Sequence, residues 1–305
     1  MNRRISAVPA LLLIAVVLSA SMLSACARVP QASDRVTVIA SFYPLAEFAR
    51  RIGGSRVDVR TLVPAGVAAH DHEPTPRDIV TLERARLFIY NGAGFEPWVD
   101  RLLPELNPAV VRVNATEGMD LLTPDWSSSG PDPHVWLDPV RAQQQADRVL
   151  AGLIAVDPGS RARYEANAVV LSSALHALHA RYQQGLRACR RKEFVTAHAA
   201  FGYLAARYGL RQVPLTGLDP ESEPSPARLR LIIEFMRRSG ATVIYSETLI
   251  SPRTAEAVAR EAGARVEVLN PLEGLTPDEQ ARGLDYLTVM DANLNALADG
   301  LDCSR

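Results

Sequence analysis

The chain is 305 residues long and carries 33 Lys and Arg against 34 Asp and Glu, a formal net charge of −1. The two signs are interspersed, which leaves no basic stripe for nucleic acid and no acidic tract of the kind that stays disordered. With 48% hydrophobic residues, the chain can bury a substantial core as one large domain or as two lobes.

In chain order, a targeting segment comes first. Asn2-Arg3-Arg4 supplies positive charge, Ala7 to Leu23 is almost wholly apolar, and small residues precede Cys26, the pattern of a secretory signal. Leu23-Ser24-Ala25-Cys26 resembles a bacterial lipobox. The resemblance implies cleavage before Cys26, a lipid on its sulfur, and a domain anchored in the cell envelope outside the cytoplasm. The competing reading is an uncleaved membrane anchor, but the apolar run barely reaches the ~20 residues that a span needs. Residues 26–35 then read as a tether.

Strand-like and helix-like runs alternate from there. Residues 36–40 are β-rich and lead into a helix from Pro44 that stops at Gly53-Gly54. Residues 57–62 read as the next strand. Thr75-Pro76-Arg77-Asp78 then caps a helix, with Pro at its first position and an acid three residues after the cap. Residues 87–90 and 110–113 are further strands, and such alternation implies parallel βαβ units. Asp138-Pro139 opens a helix, and Asp157-Pro158 opens another that runs to about residue 186. On the latter, Leu171, Leu175, Leu178 and Tyr182 form one apolar stripe. Roughly thirty residues of helix exceeds the usual ~11–12 and reads as a rigid strut.

The second half repeats the theme. Its strands fall at 193–196, 213–215, 242–245 and 266–269, and Thr276-Pro277-Asp278-Glu279 is a capping box for the final helix. The expected fold is therefore α/β: two lobes, each a mainly parallel sheet flanked by helices, joined by one long rigid helix. The expected boundaries are 36–156, 157–188 and 189–305. Cys189 and Cys303 lack the spacing of a redox or zinc-ribbon pair; in an oxidising envelope they either bridge or stay apart, and the sequence does not choose.

Of six histidines, four fall in three sharply punctuated contexts: Ala69-His70-Asp71-His72-Glu73-Pro74, Asp132-Pro133-His134-Val135-Trp136, and Thr196-Ala197-His198. Singly, each reads equally well as a loop hydrogen bonder. Jointly, His70, His134 and His198 follow predicted strands, where open α/β sheets bind ligands, as do Glu247 and Glu273. Imidazoles converging from distant loops suit a closed tetrahedral zinc site. His72 sits two residues from His70 in an extended loop and is expected to face elsewhere, or to serve as an outer, weaker ligand. His176 and His179, three apart on the long helix, read as a solvated face rather than a metal pair.

Several segments in order then carry a resemblance over nearly the whole mature chain: Ser41-Phe42-Tyr43-Pro44, His70 to Pro76, Tyr90 to Trp98, Asp132 to Pro139, and Asn270 to Thr276. The chain resembles the cluster A-I metal-binding lipoproteins, the zinc and manganese receptors of bacterial ABC importers. The resemblance implies a monomeric receptor that closes on one metal ion and delivers it to a membrane permease. It also implies a ligand set of His70, His134, His198 and a carboxylate, Glu273 in preference to Glu247. The histidine-rich loop of many zinc receptors has no counterpart in Thr123 to Gly130.

Three imidazoles with one carboxylate suit Zn²⁺, whereas Mn²⁺ prefers more oxygen and is the alternative cargo. Asp71 and Asp138 are candidates for fixing the imidazole tautomers. A zinc hydrolase would need an open coordination position and a general base, yet His72-Glu73 runs into Pro74 and makes no HExxH helix. An enzyme is therefore not expected. An adhesion or structural lipoprotein is the remaining competitor, and it predicts no tight metal.

Overall fold

The computed structural model describes residues 35–70, 72–124 and 130–304. The expected signal sequence, Cys26 and Asp71 lie outside the described residues. In the first half, β1 (Val36–Ala40), α1 (Tyr43–Gly53), β2 (Val57–Thr61), α2 (Pro76–Leu82), β3 (Leu87–Tyr90), α3 (Pro97–Leu102), β4 (Val111–Asn114) and α4 (Pro139–Val156) follow one another. The strands pair in parallel in the order β2-β1-β3-β4.

Alternate residues of these strands face opposite sides, and both sides are covered, as a parallel sheet requires. Val38, Ala40, Leu87 and Ile89 pack with Phe48 and Ile52 of α1 and Val149 and Leu153 of α4. Ile39 and Phe88 pack the other way, with Leu82 of α2 and Trp98 and Val99 of α3. The six-residue α3 is too short to show helical periodicity and was not anticipated.

A long helix, α5 (Arg161–Leu186), follows and buries Leu171, Leu175, Leu178 and Tyr182, the stripe read from the sequence. Its start differs from expectation, because Pro158–Ser160 form a 3₁₀ turn ahead of it. Asp157 is drawn out of the helix by Arg56, at 3.1 Å, and by the Tyr164 hydroxyl, at 2.8 Å. Tight turns of this kind are common at helix ends.

The second half contains β5 (Glu193–Thr196), α6 (Gly202–Arg207), β6 (Arg211–Pro214), α7 (Pro226–Ser239), β7 (Val243–Ser246), α8 (Arg253–Ala262), β8 (Arg265–Val268), α9 (Pro277–Ala281) and α10 (Tyr286–Gly300). Its sheet has the order β6-β5-β7-β8, again all parallel. The single final helix expected from Thr276 is two helices. Thr276 and Glu279 do form the capping box of α9, but Gly283 at φ 70° turns the chain, and Asp285 caps α10 anew. Cys189 and Cys303 are joined as a disulfide, which ties the start of this half to its end. Arg35–Arg305 form one unit containing both sheets. No helix among the described residues is long and apolar enough to cross a membrane.

Candidate metal centre

In each sheet the chain leaves the first strand for one neighbour and then crosses to the other, so the connections diverge between β1 and β3 and between β5 and β7. Ligands collect at the carboxyl ends of strands around such points. The predicted residues lie there. His70 is on the loop after β2, His134 ends the loop after β4, His198 is two residues past β5, Glu247 directly follows β7, and Glu273 is on the loop after β8.

The structure brings His70, His134, His198 and Glu273 together, their ligating atoms all within 4.8 Å of one another. Nε2 of His134 lies 3.1 Å from Nε2 of His70 and 3.3 Å from Nε2 of His198. Oε1 of Glu273 lies 3.3, 3.7 and 3.4 Å from Nε2 of His70, His134 and His198. A tetrahedron with metal–ligand bonds of about 2.0 Å has edges of about 3.3 Å, so these separations are those of ligands around one zinc-sized ion. Oε1 of Glu273 is buried and has no hydrogen-bond donor. A buried carboxylate oxygen without a partner is costly unless a cation faces it.

The far sides of two imidazoles explain how they are aimed. Nδ1 of His134 stands 2.8 Å from Oδ1 of Asp132, and Nδ1 of His198 stands 2.6 Å from Oε1 of Glu247. A carboxylate only accepts, so each Nδ1 carries a proton and each Nε2 is the nitrogen turned to the centre, able to ligate once it is free of a proton. Burial opposes charge on His198, but Glu247 and Glu273 outweigh it and push the imidazole up to about 10. His134 is raised likewise, with burial opposed by Asp132 and Glu273. Burial also works against ionised Glu273, yet the three imidazoles hold its carboxyl well below the usual range.

The other candidates fall outside the cluster, and Asp138 does not take the supporting place expected of it. Glu247, the rival fourth ligand, sits behind His198 and is outside the four-residue cluster, as is His72. Asp138 instead caps α4 and pairs with Arg207 at 2.8 Å. Asp132 was overlooked, although its position two residues before His134 in an extended strip puts both on one side. Nδ1 of His176 donates to the Ser172 carbonyl of its own helix turn at 3.0 Å, and His179 meets Tyr208.

The remaining resemblance segments build the walls. Glu96 is pushed up to about 7 by burial, while Ser41 and the Asn91 and Gly92 amides bond it. Asn91 also donates to the Pro133 carbonyl, 3.0 Å away, beside His134. Phe95 packs edge-on against His70, and Trp136 donates to the Pro271 carbonyl at 2.7 Å, joining the His134 and Glu273 loops.

Two parallel sheets, a long intervening helix and a buried three-imidazole, one-carboxylate cluster define a metal-binding protein of the cluster A-I type. The sequence model of the family "Zinc-uptake complex component A periplasmic" (ZnuA) matches residues 38–300, and the chain belongs to that family. It is 40% identical over 281 residues to the high-affinity zinc uptake system protein ZnuA of Bacillus subtilis, covering 88% of each chain. It is 37% identical over 298 residues to the zinc-binding lipoprotein AdcA of Streptococcus pneumoniae, covering 93% of this chain and 60% of that one. The Zn(II)-bound ZnuA-like domain of S. pneumoniae AdcA superposes with a TM-score of 0.79 at 37% identity, covering 88% of this chain and 99% of that domain.

Proposed function

We propose that this protein is an extracytoplasmic receptor that captures one Zn²⁺ between His70, His134, His198 and Glu273 and hands it to the permease of an ABC importer. The observation that carries the reading is the set of five 3.1–3.7 Å separations that link the four ligating atoms, all of which lie within 4.8 Å of one another. Three nitrogens and one oxygen favour Zn²⁺ over Mn²⁺ as cargo. Four protein ligands leave no position for an activated water, which separates this centre from a hydrolytic one. A lipid on Cys26 would hold the loaded, monomeric receptor beside the permease. The segments 36–156 and 189–305 would act as the two lobes, with 157–188 limiting their motion.

The test is native mass spectrometry of the soluble domain, stripped and then offered Zn²⁺ and Mn²⁺ together. One Zn²⁺ per chain, lost in His134→Ala, is expected. Preferred Mn²⁺ would overturn the cargo, and no retained metal would overturn the receptor reading in favour of an adhesion role.

A further inference from the structure

Resting on that reading, we infer that Tyr203, with Gly202 beside it, is a positioning residue of the metal site, acting on His134 through Asp132 from the opposite half of the molecule. Asp132 is what aims His134: its Oδ1 meets both Nδ1, at 2.8 Å, and the backbone N–H of the same residue, at 2.9 Å. Asp132 itself belongs to the long loop after β4 and needs its own anchor. That anchor comes from α6, on the other side of the cleft.

The Tyr203 hydroxyl donates to the Asp132 carbonyl at 2.7 Å and accepts from the Leu122 N–H at 2.9 Å. Asp132 N–H donates to the Leu122 carbonyl at 2.7 Å, which closes a ring of three hydrogen bonds around one phenol. The phenol is buried, and the Arg141 guanidinium lies over its ring at 4.5 Å. Gly202 brings α6 against the carboxylate itself. A Cβ at position 202 would stand 2.8 Å from Oδ2 of Asp132, closer than unbonded atoms tolerate.

His134 therefore keeps its orientation only while α6 is seated against Leu122 and Asp132. Lifting the halves apart removes the phenol, frees Asp132 and weakens His134 as a ligand before any metal bond is broken. His198 has no such dependence, because its carboxylate, Glu247, lies in its own half. The geometry makes His134 the ligand whose strength reports on closure.

Tyr203→Phe keeps the ring and deletes the hydroxyl, leaving the Leu122 N–H and Asp132 carbonyl unpaired. Zinc dissociation, followed by transfer to an excess of chromogenic chelator, is measured for wild type, Tyr203→Phe, Asp132→Asn and the double variant. Loss of an orienting partner typically weakens metal binding about 10- to 100-fold, so Asp132→Asn should release zinc in that range and Tyr203→Phe roughly 5- to 10-fold faster than wild type. The decisive expectation is that Tyr203→Phe adds nothing once Asp132→Asn is present. Gly202→Ala should accelerate release in the wild-type background and much less in Asp132→Ala, where the carboxylate it displaces is gone.

Wild-type release from Tyr203→Phe, or the same acceleration with and without Asp132, would overturn the inference. A wild-type chain that retains no zinc would instead overturn the receptor reading. Should Tyr203→Phe fail to fold, the Gly202→Ala pair decides, since equal effects in both backgrounds sink the proposal.

Discussion

Oε1 of Glu247 lies 2.6 Å from Nδ1 of His198, across the junction of β5 and β7. This contact assigns the two glutamates of the second half different work. In the proposed site Glu273 would offer its unpaired oxygen to the ion, while Glu247 accepts from Nδ1 of His198 and so sets the tautomer and angle of that imidazole. Glu247→Gln should weaken zinc about 10- to 100-fold yet leave the ligand field intact. Glu273→Gln should weaken it further and change the visible spectrum of the Co²⁺-substituted protein. Identical Co²⁺ spectra for both variants would contradict the assignment.

The same pair sets a pH dependence. Against the burial that opposes its charge, Glu247 and Glu273 raise His198 from an ordinary value of about 6.5 to about 10. A histidine raised in the folded state contributes stability that is fully present below about 6.5 and is lost as pH climbs through about 10. Stripped protein should therefore melt at progressively lower temperature across that window. Glu273 acts with the opposite sign: its depressed carboxyl contributes stability that is lost on acidification. Zinc must displace the His198 proton, so affinity should keep rising above neutral pH. Calorimetry in buffers of different ionisation enthalpy should show proton release at about pH 8, and its absence would refute the scheme.

Trp136 links the loops that deliver His134 and Glu273, and it does so through one indole N–H. Trp136→Phe keeps an aromatic ring but leaves the Pro271 carbonyl unpaired inside the core. Such a loss costs about 1–3 kcal/mol. Chemical denaturation should register that amount in the stripped protein, with zinc stoichiometry still one.

The Cys189–Cys303 bridge spans a sequence separation of 114. Cross-linking a loop of that length removes chain entropy worth about 4–5 kcal/mol from the unfolded state. Replacing both cysteines with serine should lower unfolding free energy by about 3–5 kcal/mol while zinc affinity stays within a few-fold of wild type. A large loss of affinity would mean that the bridge also shapes the cleft.

Much of this fold is legible in the sequence because its signals are local. Thr75-Pro76-Arg77-Asp78, Ser225-Pro226 and Thr276-Pro277 all cap helices in the structure, since each motif satisfies its own backbone donors within one turn. The break at Gly283 was missed because a glycine inside a polar stretch is weak evidence by itself. The three histidines were legible from their contexts and strand ends, whereas the choice of Glu273 over Glu247 rested on the family resemblance. The cluster's supports were not legible. Glu247 and His198 are 49 residues apart and Tyr203 and Asp132 are 71 apart. The first pairing is fixed by strand order within one sheet and the second by how two sheets meet, and no local pattern encodes either.

The four ligating side chains divide evenly, His70 and His134 from the first half, His198 and Glu273 from the second. Coordination number is thereby made a function of shape. With the halves together the ion sees a closed chelate of four. Any parting along the cleft leaves two donors on either side, and no single residue can retain the cargo by itself. In the proposed receptor, the mechanical work of separating the halves would also be the work of opening the chelate.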